Sequence, residues 1–448
     1  MASDARWDQL LGEVEEARVH FHVPGVAIGI LADGETRSAG LGVTDLRAPL
    51  EVDGGTLFQI GSISKTFTAA LAALLAQRGL LDLDAPLRHY MPGFQVADAE
   101  ASENVTPRIL FSHTAGWLGD YFEMEPLSLA QAADRMRWLP QTYPIGQLWS
   151  YNNAAFYVAG RLIEVITGKP FARVAREELL GPLGMNDTGY LLTDLLSARV
   201  AMGFSAVYKE GETAKPGRWY GVGAIDPVGG LSSTANDILR WARFTIDGRD
   251  NAGNPLLSEG TRDLLCELRV PAGPDKYVGL CWFTRDVDGL RLMSHGGSMR
   301  FQESRLVIAP ERGFALVALT NSERGSEMID RVAKAALRAY LDIEEPTPTT
   351  IPADRAALAP YAGRYTAALS TYTVDIEGDT LTLRTERTRA TPGEDISPPV
   401  PPSRLALTTQ PDLLLALDPP FENETAEFLR EDGDIAWLRI GGRVHRRG

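Results

Sequence analysis

The chain has 448 residues, 44% of them apolar and 23% charged, which is the composition of an ordinary globular protein with room for one large and one smaller domain. With 44 basic and 59 acidic residues its net charge is −15, which argues against nucleic acid or an anionic membrane as the main partner, since both reward a basic face. No apolar run approaches the ~20 residues that cross a bilayer, and neither the cysteines Cys266 and Cys281 nor the 6 histidines have metal-ligand spacing, so no metal or other cofactor is expected.

In chain order, residues 7–20 carry apolar Leu10, Leu11, Val14 and Ala17 at helical spacing, and Pro24 ends that helix. Gly25–Leu31 reads as a strand, Asp33-Gly34 as a hairpin turn and Thr36–Val43 as the return strand. Thr66–Leu80 is rich in alanine and leucine and apolar nearly all round, which predicts a buried central helix. Further helices are predicted over 154–166, 234–246 and 325–341. Strand-like runs fall at Leu280–Phe283, Arg291–Ser294, Ser304–Ile308 and Phe314–Thr320. The fold class is therefore α+β, with helices on an antiparallel sheet in a domain spanning 1–343. Residues 344–354 form a proline-rich linker. Seven short strand-like runs beyond it, from Gly363–Tyr365 to Ile435–Ile440, predict a small antiparallel barrel over 355–448, with Pro392–Pro402 as a mobile loop. The opening Met1-Ala-Ser-Asp-Ala-Arg-Trp lacks the features of a secretory signal, so a cytoplasmic location is expected.

Three short patterns carry chemistry. Ser62-Ile63-Ser64-Lys65 opens the central helix after Gly61 and places Ser62 and Lys65 on one side of a helical turn. A serine hydroxyl needs a base, and a lysine that loses hydration beside an apolar helix is pushed toward its neutral, basic form. Tyr151-Asn152-Asn153 precedes the next helix. A tyrosine phenol beside a cation can relay a proton to a leaving group, and Asn153 can hydrogen-bond an acyl amide and Lys65. His295-Gly296-Gly297-Ser298 reads as a strand edge where substrate can approach the backbone. The N–H groups of Ser62 and Ser298 would form an oxyanion hole, with His295 adding a polar or cationic group. Each pattern alone also has an ordinary explanation: an N-cap serine with a surface lysine, an Asn cap after a core tyrosine, a packed histidine.

Ser-x-x-Lys, Tyr-x-Asn and His-x-Gly in this order resemble the serine β-lactamase and penicillin-binding-protein superfamily, in its class C β-lactamase, D-aminopeptidase and family VIII esterase branch. Similar too are His22-Val23-Pro24-Gly25, Leu110-Phe111-Ser112-His113-Thr114-Ala115-Gly116 and Pro227-Val228-Gly229-Gly230-Leu231. The resemblance implies a β-lactamase/transpeptidase-like domain and an acyl-Ser62 intermediate, with Ser62, Lys65, Tyr151, Asn153 and His295 as catalytic residues. His295-Gly296-Gly297 stands where β-lactamases and transpeptidases usually carry Lys-Thr-Gly, which points away from true β-lactamase activity. His113 is read as structural.

The barrel looks like the lipocalin-like domain of some members, and the domain pair resembles penicillin-binding-protein-type thioesterases. Those take a peptidyl thioester from a carrier protein in the cytoplasm and close it head to tail, with a D-residue at the acyl end. A peptidyl thioester and a peptidyl carrier protein are thus the expected partners. The barrel is expected to act as a cap that orders the peptide amine and excludes water, with Gly296 and Gly297 lining the substrate. Arg443 and Arg446, in the basic end Arg443-Val444-His445-Arg446-Arg447, would bind a carboxylate or phosphate. Two alternatives stand beside this expectation: a hydrolase of small esters or D-amino-acid amides, and a non-catalytic sensor of peptides or β-lactams.

Overall fold

The computed structural model describes all residues except 1–4, 123, 124, 126, 191–197, 208–211, 220–222, 346, 369, 388–399 and 420. The chain divides into two compact units, one made of Met1–Ser112, Glu125–Leu139 and Ala155–Glu345, the other of His113–Met124, Pro140–Ala154 and Pro346–Gly448.

The first unit is built on an antiparallel sheet. A hairpin, β1 (Gly25–Ala32) and β2 (Glu35–Gly42), is followed by a two-stranded ribbon of β3 (Phe58–Gln59) and β4 (Ser232–Ser233). Then come β5 (Val270–Gly273), β6 (Lys276–Val278), β7 (Phe283–Val287), β8 (Leu290–Met299), β9 (Gln302–Ala309) and β10 (Phe314–Thr320). The sheet order is β2-β1-β10-β9-β8-β7-β6-β5, so the first strands pair with the last one. β1 and β10 are buried along nearly their whole length, which is why they read as continuous β-branched and small apolar runs. On one face Val26, Ile28, Ile30 and Leu316 pack with Leu10, Val14 and Ala17 of the helix Ala5–His20 and with Val332, Ala336 and Leu337 of the helix Gly325–Leu341. On the other lies the helix Ala235–Asp247, whose Leu239 comes so near Gly29 that a Cβ there would be 2.8 Å from Leu239 Cδ1. Behind it runs the helix Ser64–Gln77; Phe67 stacks on Trp241 at 3.8 Å, and the Trp241 indole N–H donates to Thr66 at 3.2 Å.

The Asp33-Gly34 turn is as expected, with φ of 53° and 78° at the two residues. The run Leu280–Phe283 is not a strand throughout. Cys281 takes a left-handed φ of 73°, and β7 starts only at Phe283. Among the described residues, no helix is long and apolar enough to cross a membrane.

In the second unit β11 (Gly363–Thr366), β12 (Ser370–Glu377), β13 (Thr380–Arg387), β14 (Ser403–Leu407), β15 (Leu413–Ala416), β16 (Thr425–Glu431), β17 (Asp434–Ile440) and β18 (Arg443–Arg447) form a closed antiparallel barrel. The core includes Tyr365, Val374, Leu381, Leu405, Leu414, Phe428 and Leu438. Its eighth strand is the segment that reads in sequence as a basic tail. β18 pairs with β17 and closes the barrel against β11 through Tyr365↔Arg447 and Thr366↔Arg446. Of the expected mobile loop Pro392–Pro402, residues 392–399 lie outside those described.

Candidate active site

Ile60 ends the approach from β3, and residues Gly61–Ile63 form a 3₁₀ turn that runs straight into the helix Ser64–Gln77. In a 3₁₀ turn residues three apart eclipse. Ser62 is the partly exposed member of that turn, while Lys65 is wholly buried. Lys65 Nζ lies 3.0 Å from Ser62 Oγ, donates to the Val228 carbonyl at 2.5 Å and stands 5.4 Å from the Phe156 ring centroid. Val228 thus gives a purpose to the stretch 227–234. Pro227 O accepts from Thr68 at 2.8 Å and Leu231 N–H donates to Ser64 Oγ at 3.1 Å, so this segment fixes the first turns of the helix.

β8 brings up the opposite wall. β7 pairs with it only as far as Ser294, whereas β9 pairs with it out to Met299. From His295 onward β8 therefore has one strand neighbour, and its other edge meets the Ser62 turn. The approach is very close. A Cβ on Gly297 would lie 2.0 Å from Ile60 O and 2.8 Å from Ser62 N, and one on Gly61 would lie 2.7 Å from Ser298 N. Gly61 also has a left-handed φ of 49°. Ser304 Oγ donates toward Ile60 O at 2.9 Å and Gly297 O at 3.2 Å, tying strand to turn. The amides of Ser62 and Ser298 thus lie on two backbone segments packed without side chains between them, the setting an oxyanion hole needs. Gly297 serves this chain-to-chain packing. Gly296 does not, since a Cβ there would meet nothing nearer than Ser304 O at 3.4 Å.

His295 is buried, its Nδ1 is 2.6 Å from the Gly296 carbonyl, and its ring packs on Phe283 at 5.5 Å. Burial first, and the neighbouring Lys65 charge second, hold its pKa down at about 3. It is therefore a neutral polar group near neutral pH, not the cation that its residue type allows. Ser298 Oγ donates to Glu303 at 2.6 Å, its partner across the β8–β9 ladder. Desolvation pushes the Glu303 carboxyl up to about 8, so it is largely protonated near neutral pH. No motif marks Glu303 in the sequence; only the hairpin register places it opposite Ser298. The thiols of Cys266 and Cys281 are both raised by burial, Cys266 to about 11, in keeping with packing roles.

Tyr151 and Asn153 belong to the second unit. His113 orders their loop: its Nδ1 accepts from Asn152 N–H at 3.0 Å, its carbonyl accepts from Ser150 N–H at 3.2 Å, and its ring stacks on Tyr151 at 4.4 Å. That is the structural role expected of it. The backbone N–H of Asn153 donates to Gly119 O at 2.9 Å, and its side-chain amide reaches Asp120 at 3.4 Å. Arg443, read from sequence as an anion site, has its guanidinium Nε on Asp120 at 2.7 Å and 2.9 Å. Where the expectation put a substrate carboxylate or phosphate, the structure puts a carboxylate of this chain. Arg446 lies over the Trp437 ring at 5.3 Å. Asp120 was not legible in the sequence, for it is 323 residues from its partner and lies in no motif.

Comparison with known proteins places the chain in a family. The family model described as Beta-lactamase matches residues 11–340. Penicillin-binding protein 4 of Amycolatopsis lactamdurans is 29% identical over 375 residues, covering 81% of this chain and 97% of that protein. Unguisins hydrolase ungD' of Aspergillus campestris is 25% identical over 337 residues, 71% of this chain and 62% of the hydrolase. Among solved structures SurE superposes with a TM-score of 0.76 at 25% identity over 99% of both chains, and SurE with D-Leu gives 0.72 at 25% over the full length of both. With the matched model spanning Ser62, Lys65, Tyr151 and His295, the chain belongs to the beta-lactamase family of serine hydrolases.

Proposed function

We propose that this protein forms an acyl-enzyme at Ser62 and is a penicillin-binding-protein-type thioesterase, releasing peptides from peptidyl thioesters and closing them into rings. Lys65 would take the Ser62 proton as Oγ attacks the thioester carbonyl, and the N–H groups of Ser62 and Ser298 would hold the oxyanion. Collapse breaks the C–S bond, and the thiol leaves with a proton delivered by Tyr151 and Lys65. The peptide's own amine then attacks the Ser62 ester and gives up a proton along the same relay. The ester C–O bond breaks, and Ser62 Oγ is reprotonated. Ring closure requires the amine to reach the ester before water does, which rests on proximity and on a dry site. Substrates handed over by a carrier protein would place the enzyme in the cytoplasm.

The observation that carries the finer reading is the full-length likeness, barrel included, to a structure solved with D-leucine. This supports recognition of a D-residue in addition to serine chemistry. A second reading, hydrolysis to a linear acid, is favoured by the relative named as a hydrolase. Mass spectrometry of the products from a linear peptidyl thioester ending in a D-residue, with Ser62→Ala alongside, separates the two. A Ser62-dependent product lighter than the linear acid by one water is expected. The linear acid alone would establish the hydrolase instead, and no product at all would defeat both and favour a sensor.

A further inference from the structure

The loop that carries Tyr151 is held by the last hairpin of the barrel. Within the second unit, β17 and β18 are joined by Gly441-Gly442, whose φ values of 56° and 74° suit a two-residue turn with both central residues left-handed. Tyr151 N–H donates to Gly442 O at 2.8 Å, and Val444 N–H donates to Ser150 Oγ at 3.2 Å. Arg439 donates to Trp149 O at 3.3 Å and lies 5.6 Å from that indole. The Arg443 guanidinium stands 5.3 Å from the Tyr151 ring centroid while bound to Asp120, whose side chain is 11% exposed. Asp120 in turn accepts from the Asn153 amide at 3.4 Å. Both functional ends of Tyr151-Asn152-Asn153 are thus fastened to one hairpin, the tyrosine through its backbone and ring, the asparagine through the ion pair.

We propose that Arg443 is a positioning residue: paired with Asp120, it fixes Tyr151 and Asn153, so that the C-terminal barrel is a working part of the acyl-transfer machinery. This rests on the reading of Tyr151 as the proton relay. An anion subsite at Arg443 makes the opposite forecast for Asp120. If Arg443 positions the tyrosine, removing Asp120 loosens the loop and lowers turnover. If Arg443 is meant for a substrate carboxylate, removing Asp120 frees it and tightens binding.

The test is kcat and KM for a linear peptidyl thioester with Arg443→Ala, Arg443→Lys, Asp120→Ala and Asp120→Asn, each checked by thermal melting. Arg443→Ala and Asp120→Ala are each expected to lower kcat roughly 10- to 100-fold, the scale of a small misplacement, with KM changed less than about threefold. The double variant should be no worse than the worse single one, because the pair acts as a unit. Arg443→Lys should recover part of the loss, and Arg443→Ala should cost less in a Tyr151→Phe background than in the parent, since only the placing of Asn153 is then left to lose. Should Arg443→Ala fail to fold, Asp120→Asn, equal in size and without the charge, decides. Unchanged kcat in Asp120→Asn, or a lower KM in Asp120→Ala with a higher one in Arg443→Ala, overturns the proposal. Tyr151→Phe separates this failure from the other. Full activity there defeats the tyrosine's role and the proposal with it, whereas loss there beside normal Arg443 and Asp120 variants defeats the positioning role alone.

Discussion

Replacing Lys65 by alanine is expected to slow acylation of Ser62 by roughly 10²- to 10⁴-fold, the usual contribution of a positioned general base. Lys65 Nζ is 3.0 Å from the Ser62 hydroxyl. The nearby histidine cannot stand in for it, because a base held near pKa 3, as His295 is, retains a proton too weakly to draw one from a hydroxyl. Lys65→Arg sharpens the test. Arginine restores the charge beside Ser62 but does not give up its proton in a protein. It should be as slow as alanine if Lys65 is a base, and should recover much of the rate if only the charge matters. Intact-mass measurement of the acylated protein against time, on thioester substrate, reads both. Near-normal acylation in Lys65→Arg would remove the lysine from the base role.

Gly297→Ala should be the more damaging of two adjacent glycine substitutions. The added Cβ would meet Ile60 O at 2.0 Å, Ser304 Oγ at 2.7 Å and Ser62 N at 2.8 Å. Two of those are backbone atoms of the nucleophile turn and its approach, which cannot swing aside as a side-chain tip could. β8 must retreat from the Ser62 turn, and the two amides that would share the oxyanion separate. Losing one such donor costs about 10²- to 10³-fold in kcat, and overpacking of this kind typically costs about 1–3 kcal/mol of stability. Gly296→Ala, whose Cβ would meet only ordinary contacts, should melt like the parent and keep most of its turnover. Turnover and melting of the two variants side by side check this. A Gly297→Ala protein with parental kcat would mean that the β8 edge does not set the oxyanion geometry.

What was legible in the sequence was what short-range pattern encodes. The helix Gly325–Leu341 shows itself by spacing, and the Ser62–Lys65 pair by its place at the start of an apolar helix. The 3₁₀ turn before that helix was not legible, since it lies where β8 comes close, with Gly61 at a left-handed φ and a Cβ on it only 2.7 Å from Ser298 N. The β18 strand was hidden because Arg443-Val444-His445-Arg446-Arg447 has the composition of a solvated tail. It becomes a strand by pairing with β17 and β11, which buries Val444 and His445. In the same way Arg443 has the residue type of an anion site, and only the fold brings the Asp120 carboxylate onto it. His295 likewise has a residue type that permits a cation, and only burial beside Lys65 makes it neutral. In each case the missing information was long-range: which segments meet, and which of them lose water.

The most direct test of the central claim is to quench the reaction with a peptidyl thioester, digest the protein and locate the acyl group by mass spectrometry. One peptidyl adduct is expected, on the fragment containing Ser62, absent in Ser62→Ala and accumulating when Tyr151→Phe slows its release. An adduct on any other residue, or normal thioester turnover by Ser62→Ala, would contradict it.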